Sequence, residues 1–313
     1  MLITVVTPTY NEEQNIEKIY LEVKNVFNEL DNVNYNHLFI DNDSKDNSQN
    51  ILRKIASNDK NVKLIFNRTD YGHIKSPFHA IKQTNSDATI FLVCDLQDPP
   101  KLIKEFVTKW KAGSKLVLGV KKSSKENSFV FLIRKIYYKL LNSLTSENLQ
   151  ENFLGFGLYD KEVVEYLKNV DDPEPYLRGL VIESGFKPEI ITYDQERRTA
   201  GITKNNFFTL YDLAMIGITS YSKAPLRVII LISFFLGLVS FGISIVYLFY
   251  KLLFWNEFQL GVAPIIILFT FLFSIVLFFL GIIGEYILSI HIRLRKRPLV
   301  IEKERINFDK KNE

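Results

Sequence analysis

The chain has 313 residues, enough for one large domain or two smaller ones, and its formal net charge of +4 argues against nucleic-acid binding by bulk charge. Its single cysteine, Cys94, excludes disulfides within the chain and is predicted to be a small core residue. The first ten residues lack the basic start and the cleavage site of a signal peptide. Hydrophobic residues concentrate after Leu226, which predicts a membrane part rather than a larger soluble core.

Short apolar segments alternate with amphipathic ones through the first 120 residues. Strands are predicted at 3–7, 38–40, 62–66, 90–94 and 116–120, with helices between them. Pro8 is expected to end the first strand. Asn11 and Ser44 are expected to cap the two helices that follow the first and second strands. Strands that alternate with helices in this way predict an α/β fold with a parallel, doubly wound sheet.

Polar side chains follow three of these strands, at 10–12, 41–46 and 95–98. In an open α/β sheet the carboxyl ends of parallel strands meet at the edge where ligands bind. The third group closes the stretch FLVCDLQDPP, in which two prolines stop the strand after carboxylate and amide oxygens. Such oxygens suit Mg²⁺ or Mn²⁺, which commonly bridges a diphosphate. Taken alone, the stretch is also compatible with an acidic surface turn after a core strand.

Two long segments, between Arg227 and Lys251 and between Glu257 and Glu285, contain no charged residue. About 23 residues of helix reach about 35 Å, more than the bilayer core of about 30 Å. We therefore predict a two-helix transmembrane hairpin in a multi-pass protein of the cytoplasmic (inner) membrane. By the positive-inside rule both termini and the sheet domain lie in the cytoplasm, because the basic residues flank the outer ends: Lys223, Arg227, Arg293, Arg295, Lys296 and Arg297.

Two further segments, 129–144 and 207–221, are amphipathic and are predicted to lie in the membrane interface; 129–144 also carries basic residues. For the first of them, an ordinary surface helix is the alternative. The predicted organisation is a sheet core at 1–125, a segment with the two amphipathic helices at 126–224, the membrane helices at 225–290 and a basic tail at 291–313.

The motifs TPTYNEE, IDNDSKD and CDLQDPP, in this order and spacing, resemble the family-2 glycosyltransferases of the GT-A fold. LQDPP, followed by the two-span tail with GEYI, is similar to the polyisoprenyl-phosphate glycosyltransferases, such as dolichyl-phosphate mannose synthases and undecaprenyl-phosphate glucosyltransferases. The resemblance runs from Ile3 to about Pro298. It implies inverting transfer of a sugar from a nucleotide sugar, with UDP-glucose as an example, to polyprenyl phosphate on the cytoplasmic membrane face.

Carried over to this chain, the resemblance makes 1–125 the nucleotide-sugar-binding core and 126–224 the acceptor-side segment. It also implies three groups of site residues. Nucleotide-binding residues are Pro8, Tyr10, Glu12, Asp41, Asp43 and Arg68. Asp95, Gln97 and Asp98 form the catalytic group, in which Asp95 and Gln97 hold Mg²⁺ or Mn²⁺ on the diphosphate. Acceptor-phosphate residues are Arg197, Arg198 and Lys204, since guanidinium groups grip phosphate bidentately. A polybasic stretch that only touches anionic headgroups is the alternative for the last group.

The sequence departs from the family pattern at three places. Val93 stands where many relatives have the first Asp of the metal motif, and Asn42 follows Asp41 where an acidic pair is common. Gly155 and Gly157 stand where relatives carry Asp and Arg, so no general base is assigned. A lipid phosphate is already anionic near neutral pH, and positioning with leaving-group stabilisation can then carry the catalysis.

Two other functions stay open at this point. A membrane-tethered scaffold would bind nucleotide without turnover. A processive polysaccharide synthase would share the sheet and the metal motif, but it normally needs more membrane spans and a Gln-x-x-Arg-Trp motif. The sequence does not define the sugar, and self-association stays open.

Overall fold

The computed structural model describes residues 1–122, 150, 152–195, 262–294 and 297–308, with scattered positions between 231 and 253. Its strands are β1 (Leu2–Thr9), β2 (Asn34–Asp41), β3 (Val62–Asn67), β4 (Ala88–Phe91), β5 (Leu116–Lys121), β6 (Phe153–Asp160), β7 (Pro188–Tyr193) and β8 (Glu302–Ile306). Its helices are α1 (Ile16–Asn28), α2 (Ser48–Asn58), α3 (Gly72–Lys82), α4 (Ile103–Lys111), α5 (Lys161–Asn169), α6 (Leu177–Glu183) and α7 (Val262–Leu294).

The eight described strands form one mixed sheet in the order β7-β5-β6-β4-β1-β2-β3-β8. β1 runs parallel to β2 and β4, and β2 runs parallel to β3. β6 is antiparallel to both β4 and β5, and β8 is antiparallel to β3. The predicted α/β fold is confirmed, but the prediction of a purely parallel sheet was wrong, because three of the strand pairs are antiparallel. β6, β7 and β8 come from segments that the sequence analysis assigned to the acceptor side and the tail.

Close packing explains the two glycines of β6. A Cβ atom on Gly157 would lie 2.5 Å from the carbonyl oxygen of Val117, so only glycine fits between β4 and β5. Gly155 has a φ of +109°, and a Cβ atom there would lie 3.1 Å from the ring of Phe91. Gly155 and Gly157, which depart from the family pattern, therefore lie where β6 packs closely against its neighbours.

Helices cover both faces of the sheet and bury its apolar side chains. On one face, α1, α2 and α4 pack against a cluster that includes Ile19, Phe39 and Phe106. On the other, α3, α5 and α6 enclose a cluster that includes Ile40 and Phe78. Burial of these side chains is the main source of stability and fixes the strand ends relative to one another.

Pro8 does not end β1, contrary to the prediction. β1 pairs with β2 through Thr9, but it pairs with β4 only as far as Val6. Hydrogen bonds from β1 alternate between its neighbours, since Leu92 N donates to Val6 O and Asn42 N donates to Thr9 O. Pro8 thus faces the β4 side beyond the last pair, where a missing N–H removes no ladder hydrogen bond.

β8 returns the C-terminal part of the chain to the sheet. Glu302 lies opposite Asn67, at the carboxyl end of β3. Arg53 of α2 donates to both carboxylate oxygens of Glu304, at 2.9 and 2.6 Å, and His79 lies 2.6 Å from Glu302. These charged contacts hold an edge strand whose sequence has little apolar content.

In the described part of the chain, one helix is long and apolar enough to cross a membrane. This is α7, whose segment Phe271–Leu288 has a mean hydropathy of 2.3 and is not buried. Large side chains such as Phe269 and Phe278 are exposed along it. The described positions between 231 and 253, in the first predicted span, are helical. The two predicted interfacial helices, 129–144 and 207–221, lie outside the described residues.

A buried histidine predicts acid sensitivity of the fold. His37 is fully buried on β2, 2.9 Å from the hydroxyl of Thr7, and burial lowers its pKa to about 3. The unfolded chain binds this proton below about pH 6.5, so stability falls as the pH falls from there towards 3. We expect a loss of about 2 kcal/mol at pH 5 relative to pH 8 from this group alone.

Thermal unfolding of detergent-solubilised protein at both pH values would measure the effect, with His37→Leu as the comparison. The variant should lose less stability between pH 8 and pH 5 than the wild type. Equal losses in the two proteins would show that His37 does not cause the acid sensitivity.

Candidate functional site

The loops after β1 and β2 are joined by hydrogen bonds, as expected for strand ends that meet at one edge. Asn11, with a φ of 55°, accepts from Lys45 N at 2.7 Å, and its own N–H donates to Ser44 Oγ at 2.9 Å. Neither residue caps a helix, because α1 begins after Asn15 and α2 begins after Asn47. The capping prediction was wrong because both side chains form contacts between the two loops.

Asp41, the last residue of β2, is fully buried at this edge. Its Oδ2 atom accepts hydrogen bonds from Ser44 N at 3.0 Å and from Gln49 Nε2 at 2.9 Å. Its Oδ1 atom has no hydrogen-bond partner among the described residues. Burial raises the pKa of this carboxyl group, and the hydrogen bonds from Ser44 and Gln49 offset only part of the rise. A buried acceptor without a partner is costly, so an N–H group of a ligand that reached Oδ1 would bind favourably.

We predict that Asp41→Ala weakens UDP binding by about 1–3 kcal/mol, the usual cost of losing one partner of a buried hydrogen bond. Isothermal titration with UDP would measure the change. Asp59→Ala is a suitable control, since Asp59 forms a peripheral ion pair with Lys24 at 2.9 Å. UDP affinity that is equal in Asp41→Ala and the wild type would remove Asp41 from the site.

A polar network supports the loop after β3, and the sequence analysis did not identify it. Asn67 Nδ2 donates to Asn42 Oδ1 and to Ser76 Oγ, each at 2.9 Å. Asn42 in turn donates to Asp70 and accepts from Tyr71 N at 3.0 Å. Asn42, which departs from the common acidic pair, therefore has a structural role that needs an amide donor and acceptor.

The predicted metal ligands Asp95 and Gln97 lie in a tight turn just beyond β4, which ends at Phe91 rather than at Cys94. Residues 95–98 are called the metal turn below. Asp95 Oδ1 accepts from Gln97 N at 3.2 Å, and Leu96 between them has a φ of 59°. Both polar side chains are half-buried. Among the described residues no group of three or more His, Cys, Asp or Glu side chains forms a metal cluster. One carboxylate and one amide fit Mg²⁺ or Mn²⁺ only if a diphosphate and water supply the remaining ligands.

Asp98 differs from its two neighbours in the motif because it points into the protein. It is 3% exposed and accepts a hydrogen bond from the hydroxyl of Tyr193, at the end of β7. Burial raises the pKa of Asp98 to about 6, against the opposite effects of the Tyr193 hydrogen bond and the Lys121 charge. Tyr193 was not selected from the sequence, and no motif there indicates that it contacts Asp98.

The remaining predicted residues fall into two groups. Pro8, Tyr10, Glu12 and Asp43 lie at or just beyond the carboxyl ends of β1 and β2, and Arg68 follows β3. The backbone N–H of Arg68 donates to Ile301 O at 3.0 Å, so the start of β8 contacts this edge. Arg197, Arg198 and Lys204 lie outside the described residues.

Arg178, in the first turn of α6, is a further cation that the sequence analysis did not select. Its neighbour Leu177 lies 3.7 Å from where a Cβ atom on Gly155 would be, next to Phe91 at the end of β4. Arg178 is half-buried and forms no ion pair with a carboxylate in the part of the chain described. Its guanidinium lies over the ring of Tyr176, 5.9 Å from the ring centroid.

Comparison with known proteins identifies the family. Residues 4–167, about half of the chain, match the model of glycosyl transferase family 2. An uncharacterised glycosyltransferase of Bacillus subtilis, YkcC, is 33% identical over 98% of this chain and 95% of its own length. A prophage-derived bactoprenol glucosyl transferase of Shigella flexneri is 33% identical over 97% of this chain and 98% of its own length.

The fold is also similar to that of a solved enzyme. Glucosyl-3-phosphoglycerate synthase from Mycobacterium tuberculosis, in complex with Mn²⁺, UDP and glucosyl-3-phosphoglycerate, superposes with a TM-score of 0.51 and 17% identity. The match covers 70% of this chain and 77% of that one. The motifs at the strand ends, the mixed sheet and the near full-length relatives agree, and the chain belongs to glycosyl transferase family 2.

Proposed function

We propose that this glycosyltransferase transfers a sugar, with inversion, from a UDP-sugar such as UDP-glucose to undecaprenyl phosphate at the cytoplasmic face of the membrane. The bactoprenol glucosyl transferases that it resembles over almost their whole length support a polyprenyl phosphate acceptor. The Mn²⁺ and UDP in the structurally similar synthase support a divalent cation and a uridine nucleotide.

The observation that carries the proposal is the path of the chain from α7 into β8. α7 ends at Leu294, and β8 begins at Glu302 beside Asn67, the carboxyl end of β3. Eight Cα–Cα steps span at most about 28 Å. The end of an exposed apolar helix therefore lies within about 28 Å of the end of β3, on the sheet edge that also carries Asp41, which supports an acceptor in the membrane.

The same path supports two membrane crossings. β7 and β8 belong to one sheet, so the chain must cross the membrane an even number of times between Tyr193 and Glu302. If α7 crosses once, a second crossing is required between Tyr193 and Val262. The uncharged segment 228–250 satisfies this requirement by length and composition. We infer a two-span hairpin with the sheet and both termini in the cytoplasm.

Several of the predicted residues, with Arg178, have a proposed task in this reaction. Asp95 and Gln97 would hold Mg²⁺ or Mn²⁺, which when bound supplies positive charge for the departing nucleoside diphosphate. Asp41 would orient the base through its free Oδ1 atom. Arg197, Arg198 and Lys204 would hold the acceptor phosphate, whose anionic oxygen attacks the sugar without a general base. Arg178 would add positive charge on the acceptor side of the metal turn.

The test is transfer of radiolabelled sugar from a panel of nucleotide sugars to undecaprenyl phosphate by the purified full-length protein. We expect a single-sugar lipid product that dissolves in organic solvent, strongest with one UDP-sugar. UDP binding by titration with no turnover on any donor would favour a scaffold instead. A polymeric product would favour a processive synthase.

A further inference from the structure

We propose that Tyr193 and Asp98 are positioning residues that fix the acceptor-side segment against the metal turn. This inference rests on the proposed function, because it assigns the hydrogen bond between them to the alignment of donor and acceptor sites. Neither side chain is open to substrate, since Asp98 is 3% and Tyr193 is 5% exposed. They are therefore not catalytic residues in the sense of touching the reacting atoms.

The hydrogen bond joins parts of the sheet that are far apart. Asp98 follows β4, Tyr193 ends β7, and β6 and β5 lie between those two strands. With neighbouring strands about 4.8 Å apart, β4 and β7 are separated by about 14 Å. The turn after β4 must therefore extend across the ends of two strands to reach Tyr193. The buried hydrogen bond between Asp98 and Tyr193 therefore fixes the end of this turn.

A second contact holds the same segment. Lys121, the last residue of β5, donates from Nζ to Gln195 Oε1 at 2.6 Å, and Lys122 N donates to Tyr193 O at 2.9 Å. The ring of Tyr193 packs edge-on against Phe156, with centroids 5.7 Å apart. The chain is thus fixed from Tyr193 to Gln195, and Arg197 follows two residues later in the sequence.

The two partners of the Asp98–Tyr193 hydrogen bond differ in the other contacts that support them. On the donor side, the turn has its own support from the hydrogen bond of Gln97 N to Asp95 and from Pro99 and Pro100. On the acceptor side, the hydrogen bond to Asp98 joins Tyr193 to the turn, while Lys121 and Lys122 join residues 193–195 to the end of β5. Loss of the tyrosine hydroxyl should therefore disturb acceptor use more than UDP binding.

The test compares Tyr193→Phe with Asp98→Asn in the full-length protein. We expect Tyr193→Phe to lower kcat/KM for undecaprenyl phosphate at least tenfold and to change UDP affinity with Mn²⁺ less than threefold. Amide hydrogen exchange over residues 194–200 should become at least tenfold faster. In Asp98→Asn the amide oxygen still accepts from the tyrosine hydroxyl, so amide exchange over residues 194–200 should stay within about threefold of the wild type. Lys121→Met should change exchange and acceptor use in the same direction as Tyr193→Phe.

Tyr159→Phe is the matched control. Tyr159 is also a buried tyrosine whose hydroxyl donates a hydrogen bond, but to the backbone oxygen of Gly155. This variant should leave exchange at 194–200 unchanged. A loss of 100-fold or more in Asp98→Asn, or unchanged exchange in Tyr193→Phe, would overturn the proposal. A wild type that transfers no sugar to undecaprenyl phosphate would contradict the proposed function, while the exchange measurement would still decide whether this contact holds the segment.

Discussion

Asp95→Asn is expected to lower turnover by about two to three orders of magnitude while the protein still folds and inserts. Asp95 is half-buried in a turn, and in the metal motif it is the carboxylate that faces away from the core. Val93, where many relatives have another Asp, packs against the apolar cluster that includes Phe91. The other carboxylate of the motif, Asp98, is buried against Tyr193, so the motif has no second exposed carboxylate to compensate for the lost negative charge. Steady-state kinetics with saturating donor and acceptor would measure the loss.

Chelation tests the same assignment without a mutation. EDTA should abolish wild-type activity, and added Mn²⁺ or Mg²⁺ should restore it. Asp87→Asn is a matched control, because Asp87 directly precedes β4 and accepts from Leu2 N at the opposite edge of the sheet. That variant should keep its activity. Unchanged wild-type activity in EDTA would remove the metal from the mechanism and leave Asp95 without its assigned role.

The sequence allowed prediction that the polar strand ends share one edge, where the candidate site is proposed, because that edge follows from local signals. Strand ends carry polar residues directly after apolar runs, and parallel strands place such ends together. The hydrogen bond from Asn11 to Ser44 shows the loops after β1 and β2 in contact, as this reasoning requires. The turn with Asp95 and Gln97 was likewise expected from polar residues and two prolines after an apolar run, although β4 itself ends earlier, at Phe91.

The order of the strands could not be predicted, because it depends on contacts between distant segments. β6 fits between β4 and β5 only because Gly157 has no side chain. The residues near Gly157 in the sequence do not indicate that β4 and β5 will leave room for a strand there. The sequence of β8, EKERI, contains one apolar residue and therefore predicts a charged tail rather than a strand. Its pairing with β3 is stabilised by ion pairs of Glu304 with Arg53 and of Glu302 with His79, which only the folded chain brings together.

Replacing Arg197 and Arg198 together by alanine should raise the apparent KM for undecaprenyl phosphate, or lower the rate, by at least tenfold. The two guanidinium groups are proposed to bind the acceptor phosphate, and each charge-assisted hydrogen bond to an ion contributes about 1.5–3 kcal/mol. UDP affinity should change little, because Asp41 and the turn with Asp95 and Gln97 are the residues proposed to bind the nucleotide. Kinetics with varied lipid, beside UDP titration of the same sample, would separate the two effects.

The replacement chosen decides between specific binding and surface attraction. Lysine keeps the charge but loses the bidentate fork, so the double Lys variant should recover only part of the activity. Ala in place of Lys109 and Lys111 on α4 is the matched control, since it removes the same charge from a surface helix and should leave acceptor use unchanged. Full recovery by lysine would mean that general attraction to anionic lipid is sufficient. A double Ala variant without any defect would place the acceptor phosphate elsewhere, and Arg178 on α6 would be the next residue to replace.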